Sequence, residues 1–167
     1  MNKAAIIRSK IFQREQLIKQ INTWRFLNRT IVFTNGCFDI LHLGHIEYLM
    51  KASDLGNKLI VGINTDASVK RLGKGKNRPI QDQESRAMIM ASLLFVDAII
   101  LFDEDTPYEL IKAIEPDVLV KGGDWTVETV AGNDIVKAKG GETIILDLLE
   151  GYSTTAIEKK ILHSGTH

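Results

Sequence analysis

Short runs of β-branched apolar residues alternate with longer stretches of helical spacing along most of this chain. That alternation constrains its fold more than any other feature. The apolar runs lie at Thr30–Thr34, Lys58–Ile63, Val96–Phe102, Asp117–Val120 and Thr143–Leu146. They are short, continuous and rich in Ile and Val, as strands buried on both faces are. Between them, His45–Leu55 leads to Gly56, which reads as a helix stop. Asp82–Leu94 opens on a capping aspartate and carries Ala87, Ile89, Met90, Leu93 and Leu94. Thr106–Ile114 pairs Thr106 as N-cap with Pro107 at the first helical position. Ser153–Leu162 is the last helical stretch. Such alternation predicts an α/β fold, a doubly wound parallel sheet of about five strands with helices on both faces. Ligands of such sheets sit at the carboxyl ends of the strands, where strand order reverses. At 167 residues the chain is sized for one domain. Residues 1–29 read as an N-terminal helical segment whose buried stripe draws on Ile11, Leu17, Ile18, Ile21, Trp24 and Phe26. Residues 30–163 read as the main domain and 164–167 as a tail.

Charge and cysteine content narrow the function classes. Lys plus Arg and Asp plus Glu both number 21, so the formal net charge is zero. A domain that grips a nucleic-acid backbone is usually clearly basic, and no nucleic-acid partner is expected. The single cysteine, Cys37, allows no internal disulfide and fits a reducing compartment. No apolar run approaches the roughly 20 residues that cross a bilayer. The opening "MNKAAIIRSKIFQREQ" has too little apolar length before Arg8 and Lys10 for a secretory signal. A cytoplasmic protein with no membrane partner is expected.

The stretch "TNGCFDILHLGH", Thr34–His45, follows the first strand and so lies where a ligand is expected. Residues three apart on a helix share a face. If a helix begins near Leu43 or Gly44, His42 and His45 can point to one spot. Gly44 lacks a side chain there, and free N–H groups at a helix start favour an anion. Phosphate binding, packing at a helix start and metal binding all remain open on this stretch alone. Zinc is the weakest of the three. It wants three or four protein ligands, the spacing is not H-E-x-x-H, and Cys37 and Asp39 stand at no fixed metal spacing.

Three further segments bear on that choice. "EGYSTT" places Gly151, Ser153, Thr154 and Thr155 just before the last helix. One hydroxyl there is an ordinary cap, whereas three supply extra donors where the helix dipole is positive. "VKGGDW" follows the Asp117–Val120 run, with two glycines, a possible acceptor in Asp124 and a stacking or packing face in Trp125. Ser68–Ile80 is a basic loop holding Lys70, Arg71, Lys74, Lys76 and Arg78, either a solvated loop or a lid carrying cations to an anionic ligand. The "GKG" within it is not a dinucleotide fingerprint, and no Walker-type phosphate loop occurs.

Taken together, these motifs resemble the nucleotidyltransferases of the HxGH superfamily, the cytidylyltransferases and related adenylyltransferases. Within that group the chain resembles the heptose 1-phosphate adenylyltransferases, the ADP-heptose synthase domains. The likeness runs from about Thr30 to Ile161 and is carried by "TNGCFDILHLGH", "LIVGINTDASVKRLGKGKNRPI", "EDTPYELIKAIEPDVLVKGGDW", "VAGNDIV" and "GGETIILDLLEGYSTTAI". "LVKGGDW" together with "EGYSTT" is the more specific signature. The resemblance implies a Rossmann-like fold, with 30–163 as the nucleotidyltransferase domain. It implies transfer of AMP from ATP to D-glycero-D-manno-heptose 1-phosphate by direct in-line displacement, giving ADP-heptose, a lipopolysaccharide precursor, and pyrophosphate.

The resemblance also implies roles for particular residues. His42, His45 and Lys74 would be catalytic. Asn35, Gly36, Phe38, Asp39 and Gly44 would bind nucleotide, with Lys70 from the basic loop. Gly123, Asp124 and Trp125 would lie near the nucleoside. Gly151, Tyr152, Ser153, Thr154 and Thr155 would hold the outer phosphates. Mg2+ would ride mainly on the triphosphate, helped by Asp39, with no dedicated protein metal site. A homo-oligomer, dimer or larger, is expected. Cytidylyltransferases often carry an arginine where Leu148 stands, which argues against a glycerol-phosphate cytidylyltransferase and weakens the case for CTP. Only about 29 residues precede the first strand, so a monofunctional enzyme without a fused sugar kinase is expected. A cytidylyltransferase acting on another phosphorylated alcohol or sugar, and a non-catalytic nucleotide-binding sensor module, remain the alternatives.

Overall fold

In the computed structural model, which describes residues 2–164 apart from Lys74 and Lys76, six strands form one all-parallel sheet. They are β1 (Ile11–Phe12), β2 (Ile31–Gly36), β3 (Lys58–Asn64), β4 (Ala98–Phe102), β5 (Val118–Gly122) and β6 (Glu142–Leu146). Their order is β1-β4-β3-β2-β5-β6. From β2 the chain first steps one way, to β3 and β4, and then returns to the other side for β5 and β6. Strand order therefore reverses between β2 and β5. The count is six rather than about five because β1 pairs with β4, Ile11 opposite Ile99 and Phe12 opposite Ile100. A two-residue strand has no periodicity to read, and Ile11 belongs to it rather than to a helical stripe.

The eight α-helices of the described residues are α1 (Lys3–Arg8), α2 (Arg14–Phe26), α3 (Leu43–Ser53), α4 (Asp66–Arg71), α5 (Gln83–Ala91), α6 (Tyr108–Ile114), α7 (Asn133–Ala138) and α8 (Thr154–Ser164). Successive strand residues face opposite sides of a sheet. Ile31, Phe33 and Ile60 pack with Leu17, Ile21 and Trp24 of α2 and with Leu110, Ile111 and Ile114 of α6. Val32, Leu59 and Val61 pack on the other side with Tyr48, Leu49 and Ala52 of α3 and with Ala87 and Met90 of α5. Both faces are covered, which is why the strand runs are continuously apolar instead of alternating. Phe33 is fully buried, and truncating it to Ala would cost about 3–5 kcal/mol.

Several local expectations are corrected. Phe26 is 86% exposed, because α2 ends there and its ring lies off the buried stripe. Helix α5 ends at Ala91, leaving Leu94 exposed. Helix α6 begins at Tyr108 with Pro107 as its cap, one residue later than Thr106 would place it, and Ile111 N–H closes the first turn on the Pro107 carbonyl. Gly56 does not end α3, which stops at Ser53. A Cβ on Gly56 would stand 2.6 Å from Val32 Cγ2, so its role is to let the chain pass close to β2. The basic segment starts as helix α4, capped by Thr65, whose side chain accepts from Ser68 N–H. Of the expected tail, residues 165–167 lie outside the described residues. No helix among the described residues is long and apolar enough to cross a membrane.

Candidate active site

At the carboxyl end of the sheet, between β2 and β5, lies a cavity of about 510 Å3. Its walls bring together Asn35 and Gly36 from the end of β2, His45 and Tyr48 from α3, and Lys121 and Gly122 from β5. Trp125, Leu148, Thr154 and Thr155 close another side, and Arg78 enters from the basic segment. The site sits where strand order reverses, as the alternation predicts.

The histidine pair is built by the start of α3. His42 is the N-cap, in extended backbone conformation, and its side chain makes no cap hydrogen bond. Its carbonyl instead accepts from His45 N–H at 2.9 Å. The imidazole is thereby free to fold back over the helix and stack on His45, with ring centroids 3.8 Å apart and planes 21° apart. A Cβ on Gly44 would lie 3.1 Å from His42 Nδ1 and 3.2 Å from Tyr152 Cβ. The space beside Gly44 is thus taken by His42 and Tyr152 rather than left for a ligand, and the glycine serves the histidine stack. Phe38 meets the His45 ring edge-on at 5.3 Å. It is a non-glycine residue at φ +48°, held there with its ring over Gly36, where a Cβ would meet it at 3.0 Å.

His42 Nδ1 is buried with no hydrogen-bond partner among the described residues. Burial lowers the His42 pKa below its ordinary value, so the imidazole is neutral near pH 7. A neutral ring with an N–H to offer suits a phosphate oxygen without proton transfer. Tyr48 behaves differently. Burial pushes its phenol far up, outweighing the hydrogen bond it shares with Thr34 Oγ1 at 2.6 Å, so it stays neutral and ties α3 to β2.

The second helix start facing the cavity is that of α8. Ser153 Oγ accepts from Ala156 N–H at 3.0 Å, which makes Ser153 the cap. Thr154 and Thr155 line the cavity, whereas Gly151, Tyr152 and Ser153 do not. Gly123 and Asp124 are likewise off the wall, where Gly122 and Trp125 stand in their place. Leu148 packs against the glycine backbone, and a Cβ on Gly122 would come within 2.7 Å of it.

Asp39 is 2% exposed and already engaged. Its carboxylate accepts from Ile80 N–H at 2.9 and 3.0 Å and from Gln81 N–H at 2.9 Å, and stands 3.4 Å from Arg78 Nη1. It staples the far end of the basic segment to the loop after β2, which leaves it poorly placed as a metal ligand. Arg78 spans from Asp39 to Glu158 on α8, at 2.6 Å. Lys70 lies exposed on α4 and lines no part of this cavity, and Lys74 lies outside the described residues.

Three positions that line or brace the cavity are not marked as such along the sequence. Lys121 lies inside the quoted "LVKGGDW", and the rule that ligands sit at strand ends could have singled it out. Its ammonium is 2.9 Å from Asn35 Oδ1 and 5.5 Å from the Trp125 ring centroid. Arg78 was one cation among five in its segment. Arg86 of α5, fully buried, donates to the Cys37 carbonyl at 2.7 Å, the Gln81 carbonyl at 3.0 Å and the Asp66 carboxylate at 2.7 Å. It fixes the loop after β2 from behind, and nothing in its surroundings along the chain marks it.

Residues 33–160 match the family model described as cytidylyltransferase-like. The chain is 55% identical over 152 residues to the "Bifunctional protein HldE" of Wolinella succinogenes, covering 91% of this chain and 31% of that protein. It is 59% identical over 133 residues to the protein of the same name from Nitratiruptor sp., covering 80% and 28%. The chain thus spans about a third of the length of these curated relatives. Among solved structures it resembles the lipopolysaccharide core biosynthesis protein of Thermoplasma volcanium, with a TM-score of 0.61 and 30% identity over 75% of this chain and 99% of that one. A pantoate-beta-alanine ligase from Francisella tularensis shares the fold at a TM-score of 0.56 and 18% identity, covering 89% of this chain and 75% of the ligase.

Proposed function

The chain belongs to the cytidylyltransferase-like family, and we propose that within it the protein is an adenylyltransferase that moves AMP from ATP to D-glycero-D-manno-heptose 1-phosphate, releasing pyrophosphate. The observation that carries this reading is the cavity where His45, stacked on His42, meets Thr154 and Thr155 of a second helix start. The relatives named "Bifunctional protein HldE", together with the motifs that resemble those of ADP-heptose synthase domains, support the choice of acceptor. Leu148 in place of an arginine supports ATP over CTP.

In this mechanism an oxygen of the sugar phosphate attacks the α-phosphorus of ATP. A P–O bond forms, the bond from the α-phosphorus to the bridging oxygen breaks, and its electron pair leaves with pyrophosphate. The attacking phosphate is largely a dianion at pH 7, its second pKa being about 6, so no general base is needed. Catalysis is positioning plus stabilisation of growing charge. His42 and His45 donate N–H groups to phosphate oxygens. Thr154, Thr155 and the α8 dipole hold the outer phosphates. Lys74 and Lys70 of the basic segment are assigned to the triphosphate as further positive charge. Magnesium enters as part of the MgATP substrate, and the Asp39 carboxylate is engaged by the Ile80 and Gln81 N–H groups. The enzyme works in the cytoplasm as a homo-oligomer, for which Leu94 and Phe26 offer exposed apolar surface.

The test is to incubate the protein with Mg2+, D-glycero-D-manno-heptose 1-phosphate and either ATP or CTP, and to follow pyrophosphate and the sugar nucleotide. Pyrophosphate with ATP and formation of ADP-heptose is the expected result. Turnover with CTP alone would make the protein a cytidylyltransferase. Nucleotide binding without turnover on this acceptor would overturn the proposal.

A further inference from the structure

Helix α8 carries the two hydroxyls assigned to the outer phosphates, yet apolar packing holds it only weakly. None of its described side chains is buried, and it gives no residue to either apolar cluster, whereas α2, α3, α5, α6 and α7 each give at least one. Ile161 and Leu162 line a cavity of about 640 Å3 together with Ile40 and Ile80, and stay 62% and 73% exposed. Most helices are fixed in a fold by burial of an apolar face. The position of α8 rests on polar contacts instead.

Glu158 follows Thr154 by four residues and Thr155 by three, so the three share a face of α8. Its carboxylate accepts from Arg78 Nη2 at 2.6 Å, and the same guanidinium stands 3.4 Å from Asp39. Arg78 is only 11% exposed and Glu158 30%, so water and salt screen the pair less than they would a surface pair. Asp39 in turn is pinned by the Ile80 and Gln81 N–H groups, and it lies in the loop that leads into α3. The route Asp39–Arg78–Glu158 thus runs from the approach to the histidine pair to the face of α8 that bears the hydroxyls. Arg78 also neutralises a carboxylate that would otherwise stand about one helical turn from a polyphosphate.

We propose that Glu158 is a positioning residue for the nucleotide: through Arg78 it sets the spacing between the start of α8 and the histidine pair, across which the triphosphate is held. This rests on the adenylyltransferase reading above. Glu158 touches no substrate and moves no proton. Without it α8 is tied less firmly to the loop after β2, and Thr154 and Thr155 meet the outer phosphates for only part of the time. The sign of the effect is diagnostic. A Glu158 that only drew Arg78 away from the ligand would, once removed, free a cation for the phosphates and tighten binding.

The experiment uses the full chain as wild type, Glu158→Ala, Glu158→Gln and Glu158→Asp. Calorimetric affinity for α,β-methylene-ATP with Mg2+ is measured beside hydrogen exchange of the α8 amides, the melting temperature, and steady-state kinetics with MgATP and D-glycero-D-manno-heptose 1-phosphate. Glu158→Ala is expected to weaken the analogue and raise the KM for ATP by about tenfold, the scale of one charge-assisted hydrogen bond. Glu158→Gln should do less, because its amide oxygen still accepts from Arg78, and Glu158→Asp should also fall between Glu158→Ala and wild type. Exchange in α8 should quicken in the same order, while the acceptor KM and the melting temperature stay close to wild type. Unchanged analogue affinity in Glu158→Ala overturns the proposal, whatever α8 exchange does. Tighter affinity overturns it too and makes Glu158 a competitor for Arg78. A melting temperature that falls in step with affinity across the three variants would mean general loosening of the fold, and would also overturn it. No sugar nucleotide from the wild type overturns the adenylyltransferase reading, while analogue affinity and α8 exchange still decide the role of Glu158.

Discussion

Two helix starts face the same cavity, and they are finished in opposite ways. At α3 the N-cap His42 leaves its cap hydrogen bond unmade and sends its ring across Gly44 to stack on His45. At α8 the N-cap Ser153 makes the bond expected of it, with Ala156 N–H. The first start gives up local stability and presents His45, stacked on His42. The second keeps its stability and presents the next two hydroxyls, Thr154 and Thr155. A protein with one anionic ligand to hold can thus divide the work. On the proposed reading, one helix start serves the part of the ligand where charge grows, and the other a part that only has to be held.

Such a division puts substitutions at the two starts on different kinetic constants. The largest effect is expected at His45. His45→Ala should lower kcat by about 100- to 1,000-fold, the scale of a lost oxyanion donor, with the melting temperature nearly unchanged. Near-normal turnover in the folded variant would remove the histidine from the chemistry. Gly44→Ala comes next. The added methyl would sit 3.1 Å from His42 Nδ1 and 3.2 Å from Tyr152 Cβ, so the His42 ring must shift. A fall in kcat of about tenfold is expected from misplacing a positioned group, and an unchanged kcat would show that the stack is not required.

At α8 the pattern should invert. Thr155→Val should raise the KM for ATP by about tenfold through a lost hydrogen bond to a charged phosphate, with kcat little changed. Ser153→Ala should instead cost about 1 kcal/mol of stability, read as a lower denaturation midpoint, because its hydroxyl is spent on the cap. Equal kinetic damage from both would erase the distinction between cap and ligand.

The smallest effect is a matter of pH. Burial lowers the folded-state pKa of His42. A histidine kept neutral in the fold contributes its full stability above its unfolded value of about 6.5, and that contribution is lost as pH falls through 6.5 towards the lower folded value. His42→Asn should therefore flatten the loss of stability below pH 6.5 relative to wild type. Parallel profiles would mean that the ring is not desolvated.

What was legible along the chain was whatever leaves a period or sits at a strand end. The β2 to β6 runs stand close to where the sheet has them, because residues such as Val32 and Phe33 are buried on opposite faces and leave no polar gap. The histidine pair and the last helix start were legible through their spacing and position. Strand β1 was not, since two residues carry no period. Helix α4 was hidden under its own charges: Ser68 and Val69 are buried while Lys70 and Arg71 are exposed, and one short turn among lysines reads as a loop. Along the chain Gly44 implies room for a ligand, whereas the room belongs to His42, a contact that depends on a side-chain direction no spacing shows. Lys121 and Arg86 were missed for a related reason. What each does depends on groups far along the chain, Asn35 for one and Cys37, Gln81 and Asp66 for the other.

The most direct test of the division between the two helix starts is a crystal structure with Mg2+ and α,β-methylene-ATP bound. The account predicts the β- and γ-phosphates against Thr154, Thr155 and the start of α8, and the α-phosphate beside His42 and His45. A nucleotide whose phosphates leave the histidine pair untouched, or whose triphosphate lies away from α8, would contradict it.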